Sequence, residues 1–285
     1  MKICRILLLS LLSLTPVYAE QLGPTEIVVR AVKVNENDWV EAPKYDYYER
    51  QQDGVKTKTY QVTILDGSPY SRLVAINDQP LSADDEAKEQ QRFVNTASER
   101  EKESAETCER RIARYQDERE RDRVLMTEIT RALDFTLAGR AILNGHEVYV
   151  LKGTPRPGYR PPSEQAKALT GMRGTLWIDT VTFHWVKAEA EVVRPVWIHG
   201  FVARVQPGTH FVLEQMPVAD GLWMPQHYGM QARARVLFVY AYNSQEESTY
   251  FGYHKRGAES AHARAPRVGC GAHGGREEMT WAGAF

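Results

Sequence analysis

Cysteine is scarce in this chain, with three in 285 residues. Cys4, Cys108 and Cys270 belong to no Cys-x-x-Cys pair and to no Cys/His cluster, which excludes the usual structural zinc motifs. Signatures of common enzymes are also missing: there is no Gly-x-Ser-x-Gly elbow, no His-Glu-x-x-His helix and no glycine-rich phosphate loop between a strand and a helix. The formal net charge of −1 gives no bulk electrostatic attraction to nucleic acid.

Long apolar runs are equally rare, and the one that stands out lies near the amino terminus. Residues 6–14 are apolar or small, follow Lys2 and Arg5, and are followed by Ala19. A short basic region, an apolar core and a small residue before a cut site are typical of a secretory signal peptide. The run is too short for a transmembrane helix, which needs ~20 residues. We therefore expect residues 1–19 to be cleaved and the protein to be periplasmic; an uncleaved membrane anchor is the alternative.

Export also bears on the two cysteines that remain after cleavage. Cys108 lies in a highly charged segment and Cys270 in a glycine-rich one. An oxidising compartment allows them to pair in a disulfide, and two independent thiols are the alternative.

The chain from residue 45 to residue 80 has the pattern of an antiparallel sheet. Strand-forming runs are separated by the turn signals Asp53-Gly54, Asp66-Gly67 and Asn77-Asp78. Links this short cannot make the crossover that parallel strands require, so we predict antiparallel neighbours.

A long helical segment is predicted over residues 82–132. This segment has no glycine or proline, is rich in Glu, Arg, Lys and Ala, and begins with Ser82 as an N-cap. We expect a break near residues 96–103 and docking mainly through the C-terminal third, whose apolar stripe is Val124, Leu125, Ile129 and Leu133. Its charges are interpreted as a solvated face; a coiled coil or partner helix is the alternative.

Strand patterns return from Asp134 and continue to His254, with a hairpin turn at Asn144-Gly145. Between residues 183 and 194 the polarity alternates, which predicts one dry and one wet face of an antiparallel sheet. The predicted dry face carries His184, Val186, Ala188, Ala190 and Val192, and the wet face carries Lys187, Glu189 and Glu191. Residues 257–285 have little apolar content, and we expect them to be disordered.

Several short motifs resemble a known family. RGTLWID at residues 173–179, WVK at 185–187 and LWMP at 222–225 resemble the strand motifs of the outer-membrane lipoprotein-sorting family of periplasmic lipoprotein carriers. LDGSPY at 65–70, LVAIN at 73–77 and GYRPP at 158–162 are similar to envelope proteins in a distant, uncharacterised branch of that superfamily.

The resemblance implies an α+β fold built on a strongly curved antiparallel sheet, a half-barrel. In the family, helices cover the concave face and enclose an apolar cavity for acyl chains. On this basis residues 20–256 form one carrier-like domain with a helical insertion at 82–132.

Aromatic residues on the later strands are candidates for lining an apolar cavity. The six candidates are Trp177, Trp185, Trp197, Phe211, Trp223 and Phe238. Core packing is the alternative interpretation. Because each buried CH₂ is worth ~0.8 kcal/mol, a dozen could supply ~10 kcal/mol before the costs of binding, without any catalytic group.

A proline-rich loop, GTPRPGYRPP at residues 153–162, provides candidates for a rim. Arg156, Tyr159 and Arg160 lie on this stiff frame, where arginines could contact anionic lipid headgroups or a protein partner. A rigid crossing over the end of the sheet is the alternative.

The dispersed histidines and acids favour structural over catalytic roles. His184 is interpreted as a hydrogen-bonded core histidine, and Asp179 as a turn aspartate that accepts hydrogen bonds from its own backbone. His199 and His210 could flank one hairpin, but they lack a third metal ligand. We therefore predict no catalytic residue, no metal and no cofactor.

The sequence thus favours a non-catalytic protein that binds or carries a lipid, a lipoprotein acyl chain or another apolar ligand in the periplasm. The alternative is an envelope scaffold that holds another protein through the long helix or the proline-rich loop and has no cavity. Peripheral membrane contact fits either function, and nucleic acid is not an expected partner.

Overall fold

The computed structural model of the chain describes residues 22–198, 203–236, 240–256 and residue 270. The described residues form an α+β fold with one open antiparallel sheet of 13 strands, as predicted. The predicted signal peptide lies outside them, as does the segment 257–285 apart from Cys270. None of the helices in the described part combines the length and apolar character needed to cross a membrane.

The described part of the chain contains three α-helices, of which the first precedes the strands and the other two lie between the fourth and the fifth strand. The helices are α1 (Pro24–Glu41), α2 (Ala83–Lys102) and α3 (Ala105–Ala132). The strands are β1 (Tyr45–Asp53), β2 (Lys56–Leu65), β3 (Ser68–Ile76), β4 (Gln79–Pro80), β5 (Leu133–Leu143), β6 (His146–Pro155), β7 (Met172–Asp179), β8 (Trp185–Val192), β9 (Val196–Ile198), β10 (Ala203–Val205), β11 (His210–Pro217), β12 (Trp223–Val236) and β13 (Tyr240–Lys255). A 3₁₀ segment, Gln165–Gly171, follows the proline-rich loop.

The sheet begins and ends on two strands that follow one another in the chain, β4 and β5, with only α2 and α3 between them. Its order is β4-β3-β2-β1-β13-β12-β11-β8-β7-β6-β5, and the β9–β10 hairpin joins through β10 to β12. The last strand, β13, therefore pairs with the first, β1. This pairing leaves β4 and β5 as the two edges of the curved sheet.

Three hairpin turns predicted from the sequence are confirmed. Asp66-Gly67, Asn77-Asp78 and Asn144-Gly145 each place two successive residues at positive φ, between 45° and 86°. Such pairs match the twist of antiparallel strands and favour Asn, Asp and Gly.

The predicted helical segment forms two helices with a break at residues 103–104. The Ser82 hydroxyl accepts the N–H of Asp85 at 3.2 Å and starts α2. Glu103 is extended, and the Ser104 hydroxyl accepts the N–H of Thr107 at 3.2 Å and starts α3. The break falls at the C-terminal edge of the predicted range because Ser104 provides the new N-cap.

The first helix forms the main core with the centre of the sheet. Ile27, Val28 and Ala31 of α1 are fully buried against a sheet surface formed by Leu151, Leu176, Ile178, Trp185 and Ala188. Each fully buried aliphatic side chain stabilises the fold by about 1.5–3 kcal/mol. We call this side of the sheet the helix-covered face.

The predicted dry face of β8 is interrupted by a β-bulge. Ala188 packs against α1, whereas Val186 packs with Val148 and Trp223 in a separate cluster. The register shifts between Trp177 and Ile178 of the paired strand, so Val186 is the extra residue. Strict alternation over residues 184–192 was therefore wrong at Val186, because a bulge resets which face a side chain occupies.

The helix α3 crosses the helix-covered face from one end of the sheet to the other, and we call it the strap. Near its start, Arg111 donates to the Asp66 carbonyl at 2.9 Å and to the Ser68 hydroxyl at 2.7 Å, at the β2–β3 turn. Near its end, Leu125, Ile129 and Ala132 of the strap form a cluster with Leu133 and Leu169 at the opposite edge. Its 28 residues span roughly 42 Å.

A disulfide ties the strap to the chain beyond β13. Cys108 is bonded to Cys270, with Cα atoms 5.6 Å apart. Of the two alternatives left open by the sequence, the structure therefore shows the disulfide.

Candidate functional site

Two groups of aromatic rings lie on four neighbouring strands. Together we call them the aromatic row; from β11 to β1 it contains Phe211, Tyr228, Tyr250, Tyr47 and Tyr253. The ring of Phe211 meets that of Tyr228 at 5.6 Å, and the ring of Tyr47 meets those of Tyr250 at 6.0 Å and Tyr253 at 5.4 Å. All five side chains are half-buried. The row is thus a broad aromatic surface that is incompletely covered by the protein.

The strap lies over this row. Tyr115 contributes to the raised pKa of Tyr47, and Asp122 to that of Tyr228, so both strap side chains lie within electrostatic range of the row. Within the strap, the buried residues are Glu128 and Ala132, both near its C-terminal end. In the middle of the helix, Tyr115 and Arg119 are half-buried and no side chain is fully buried.

Polar contacts to α1 hold the strap at its middle. Arg119 donates to the Trp39 carbonyl, and its guanidinium carbon lies 4.5 Å from the centre of the Trp39 ring. Arg123 pairs with Glu36 at 3.1 Å. Both partners in this ion pair are well exposed, and such pairs contribute little to stability. The middle of the strap is thus held by polar contacts alone, of which the Arg123–Glu36 pair is weak.

The tyrosines of the row are protonated in a dry environment. Burial, reinforced by the nearby charge of Glu49, raises the pKa of Tyr47, and burial likewise raises the pKa values of Tyr250 and Tyr253. Burial, with the negative charges of Glu246 and Asp122, raises the pKa of Tyr228 to about 12. These phenols stay neutral at physiological pH.

Two carboxylates border the row on its strands. Glu49 is paired in register with Tyr250, and Glu246 with Met230, which shares the face of Tyr228. Paired residues of neighbouring strands lie on the same face, so both carboxylates border the row. This surface consequently suits an apolar group without negative charge.

The aromatic residues predicted to line a cavity do not lie together in one site. Phe211 lies in the aromatic row. Trp185 packs in the α1 core, and Trp223 is 4% exposed between the rings of His146 and His184. Two others contact cations: Trp177 lies 5.6 Å from the Lys187 ammonium, on the face opposite α1, and Trp197 lies 5.3 Å from the Arg204 guanidinium. Phe238 lies outside the described residues.

The three predicted rim residues lie together on the proline-rich loop, which docks on the end of the strap. The Tyr159 hydroxyl donates to Glu128 at 2.8 Å. Arg156 donates to Asp134 at 2.7 Å and to the Leu133 carbonyl at 3.1 Å, and Arg160 is exposed. The loop and the strap thus support each other.

Asp179 is a turn aspartate, as predicted. One of its carboxylate oxygens accepts the N–H groups of Val181 at 2.9 Å and Thr182 at 2.7 Å, and the other lies 3.1 Å from the His146 ring. Its two oxygens are therefore engaged in holding the β7–β8 turn.

His184 is buried in the core, as predicted, and its nearest polar partner is a carboxylate. It is 7% exposed, stacks on Trp223 and lies 3.2 Å from the Asp38 carboxylate of α1. His199 lies outside the described residues. No group of His, Cys, Asp and Glu within the described part has the arrangement of a metal site.

Sequence reasoning missed the four tyrosines of the aromatic row. Tyr47 and Tyr250 are more than 200 positions apart and meet because β13 pairs with β1. A usable signal was present in β12, where Tyr228 and Met230 alternate with polar His227 and Gln231. That pattern marks one apolar face of a strand without showing what lies beside it.

No family model and no curated protein matches this sequence. Among solved structures, the chain is similar to a DUF1329 family protein from Desulfovibrio piger, with 12% identity, coverage of 86% of this chain and 98% of that chain, and a TM-score of 0.29. It is also similar to a putative outer membrane lipoprotein-sorting protein domain from Vibrio parahaemolyticus, at 8% identity, 82% and 96% coverage and a TM-score of 0.29. A third similar structure is the MucA/MucB complex of Pseudomonas aeruginosa, at 10% identity, 77% and 93% coverage and a TM-score of 0.24. Similarities at these scores bear on neither the ligand nor the partners of this chain.

Proposed function

We propose that this protein is a non-catalytic periplasmic binder or carrier of an apolar ligand, and that one acyl chain lies between the strap and the aromatic row. The observation that carries the proposal is the half-buried row beside a stretch of helix in which no side chain is fully buried. An acyl chain in that position would remove apolar surface of both elements from water. Each CH₂ buried contributes ~0.8 kcal/mol.

The charges around the row define the class of ligand further. Glu49 and Glu246 lie beside the neutral phenols on the strands, so a free carboxylate placed against that side of the row is disfavoured by like charge. An esterified or amide-linked acyl chain, as in a lipid or a lipoprotein, carries no such charge. The proposed ligand is therefore a neutral acyl chain.

Movement of the strap would give the acyl chain access to the aromatic row. It is tethered at both ends and held in the middle by the exposed pair Arg123–Glu36 and by Arg119 on Trp39. A small outward movement of its middle would admit a chain without breaking the α1 core. Local opening of this kind is characteristic of elements with few buried contacts.

The test is displacement of a neutral fluorescent acyl ester by unlabelled methyl esters of fatty acids. Neighbouring tyrosines provide a matched pair of variants: Tyr47 lies in the row, whereas Tyr48 stacks on Phe251 at 5.5 Å on the other face. Tyr47→Ala should weaken binding about tenfold or more, as expected for losing an aromatic contact, and Tyr48→Ala should not.

A second pair of variants keeps the test valid if Tyr47→Ala fails to fold. Met230→Lys places a charge at the row, and Gln231→Lys places the same charge on the exposed opposite face. Met230→Lys should abolish uptake, and Gln231→Lys should preserve it. Absence of saturable uptake by the wild type would contradict the carrier proposal and favour the envelope scaffold.

A further inference from the structure

A separate cleft lies beyond the end of the strap, where the proline-rich loop meets the segment that follows β8. Its volume is about 520 Å³, within the size range of small-ligand sites. It is lined by Pro155, Arg156, Pro157, Gly158, Tyr159, Thr170, Gly171, Arg194 and Pro195. The aromatic row shares none of these residues, so the cleft is a second candidate site.

The walls of this cleft are stiff. Prolines 155, 157 and 195 have fixed φ angles, and Gly158 makes a tight turn at φ +77°. The loop is anchored to the strap by the N–H of Arg156, which donates to the Ala132 carbonyl at 2.8 Å. A site whose walls are set before binding loses little entropy when a ligand enters.

The opposite wall is fixed by Gly171. A β-carbon at this residue would lie 2.5 Å from the Arg194 carbonyl oxygen, which shows how closely the two segments approach. The Gly171 carbonyl accepts the N–H groups of Val193 at 2.8 Å and Arg194 at 3.2 Å. The position of Arg194 relative to the 3₁₀ segment is thus set by the main chain.

The lining is positively charged. It contains two arginines and no carboxylate. Residues 152–173 as a whole carry five basic side chains and one acidic side chain, Glu164, which is paired with Lys167. The acid nearest to Arg156 is Asp134, which accepts its Nε at 2.7 Å from outside the lining.

Both guanidinium groups retain donors for a ligand. Arg194 uses one N–H on the Thr170 carbonyl at 3.1 Å, and Arg156 uses two on Asp134 and Leu133. A guanidinium has five N–H donors in a planar fork. The protein contacts therefore orient each group and leave N–H donors available.

We propose that this cleft binds a phosphate group through Arg156 and Arg194. A carboxylate has two oxygens and satisfies one guanidinium fork, whereas the oxygens of a phosphate can satisfy two. The proline rings and Tyr159 give the rest of the cleft apolar walls for the organic part of a phosphate ester. The phosphate belongs either to a phospholipid headgroup or to a soluble phosphate compound.

The first test is a titration of the full chain with inorganic phosphate. The readout is the set of arginine side-chain N–H signals in NMR spectra. Saturable shifts of Arg156 and Arg194 are expected. Arg194→Ala should weaken phosphate binding about tenfold or more, because a hydrogen bond to a charged group is lost. Arg173→Ala is the matched control, since Arg173 is exposed, pairs with Glu191 at 2.9 Å and does not line the cleft.

A second arm separates the two sources of phosphate. Capture of the protein on phosphatidylglycerol vesicles, lost in Arg194→Ala and absent on phosphatidylcholine, would assign the site to an anionic headgroup. Saturable phosphate binding without vesicle capture would assign it to a soluble phosphate compound. Either result supports the cleft as a phosphate site.

The proposal is overturned if phosphate causes no saturable shift, or if binding survives in both Arg194→Ala and Arg156→Gln. The neutral acyl ester assay is independent of this outcome, because Arg194 does not contact the aromatic row. Arg194→Ala should bind the ester as the wild type does, so failure of one proposal can be told from failure of the other.

Discussion

Ile112 of the strap rests directly on Gly67 in the β2–β3 turn. A β-carbon at residue 67 would lie 2.8 Å from the Ile112 Cδ1 atom, and the backbone there has a φ of +86°. The turn glycine therefore serves both the hairpin and the docking of the strap.

This contact predicts different costs for alanine at two similar glycines. Gly67→Ala meets both backbone strain and Ile112, whereas Gly145→Ala has nearly the same φ, +85°, and nothing within 4 Å. Gly67→Ala should lower the free energy of unfolding by about 1 kcal/mol more than Gly145→Ala, measured by urea denaturation, because the end of the Ile112 side chain must move aside.

A double-mutant cycle identifies the source of that difference. Ile112→Ala should recover part of the cost of Gly67→Ala, because the crowding side chain is shortened. Equal costs at residues 67 and 145, with no coupling to Ile112, would show that the strap does not dock on this turn.

The Cys108–Cys270 disulfide should contribute strongly to stability. It joins residues separated by 162 positions and so restricts the unfolded chain over a long loop. Its removal by Cys108→Ser should lower the free energy of unfolding by about 2–5 kcal/mol. Reduced wild type should match the variant, and unfolding of the oxidised wild type at the same urea concentration as the reduced form would contradict the bond.

The tyrosines of the aromatic row predict a loss of stability in alkali. The pKa of Tyr228 is about 12 in the folded protein, whereas an unfolded tyrosine has a value of ~10. A group whose pKa is raised by folding stabilises the fold fully below the unfolded value, and this contribution is lost as the pH rises through the folded value. The free energy of unfolding should therefore fall between about pH 10 and pH 12.

Tyr228→Phe checks the assignment. It removes one titrating phenol while keeping the ring, so the alkaline fall in stability should become shallower in parallel urea titrations. An identical pH dependence in the variant and the wild type would show that Tyr228 lies in a wet environment.

Local patterns predicted most of the individual elements. Paired turn residues marked the hairpins at Asn77-Asp78 and Asn144-Gly145, and the composition of residues 82–132 marked the helices. These features depend on neighbours in the chain, so a single sequence contains them.

Relationships between distant segments could not be predicted in the same way. The place where the strap packs on the sheet depends on the contact between Gly67 and Ile112. The aromatic row depends on the pairing of β13 with β1. The bulge at Val186 places this residue on the face opposite to the predicted one, although the strand itself was predicted correctly. Tryptophans were the most conspicuous candidates in the sequence, yet Trp185 and Trp223 are packed within the protein itself.

The central claim, that an acyl chain lies between the strap and the aromatic row, can be measured by methionine methyl NMR with a spin-labelled fatty acid methyl ester. Met230 is held against the Tyr228 hydroxyl at 3.5 Å in the row, whereas Met172 begins β7 next to the proline-rich loop's cleft. The bound nitroxide should broaden the Met230 methyl signal and leave that of Met172 sharp, and Tyr47→Ala should reduce the broadening. A Met230 signal that stays sharp at saturating ligand, or equal broadening of both methyls, would contradict the account.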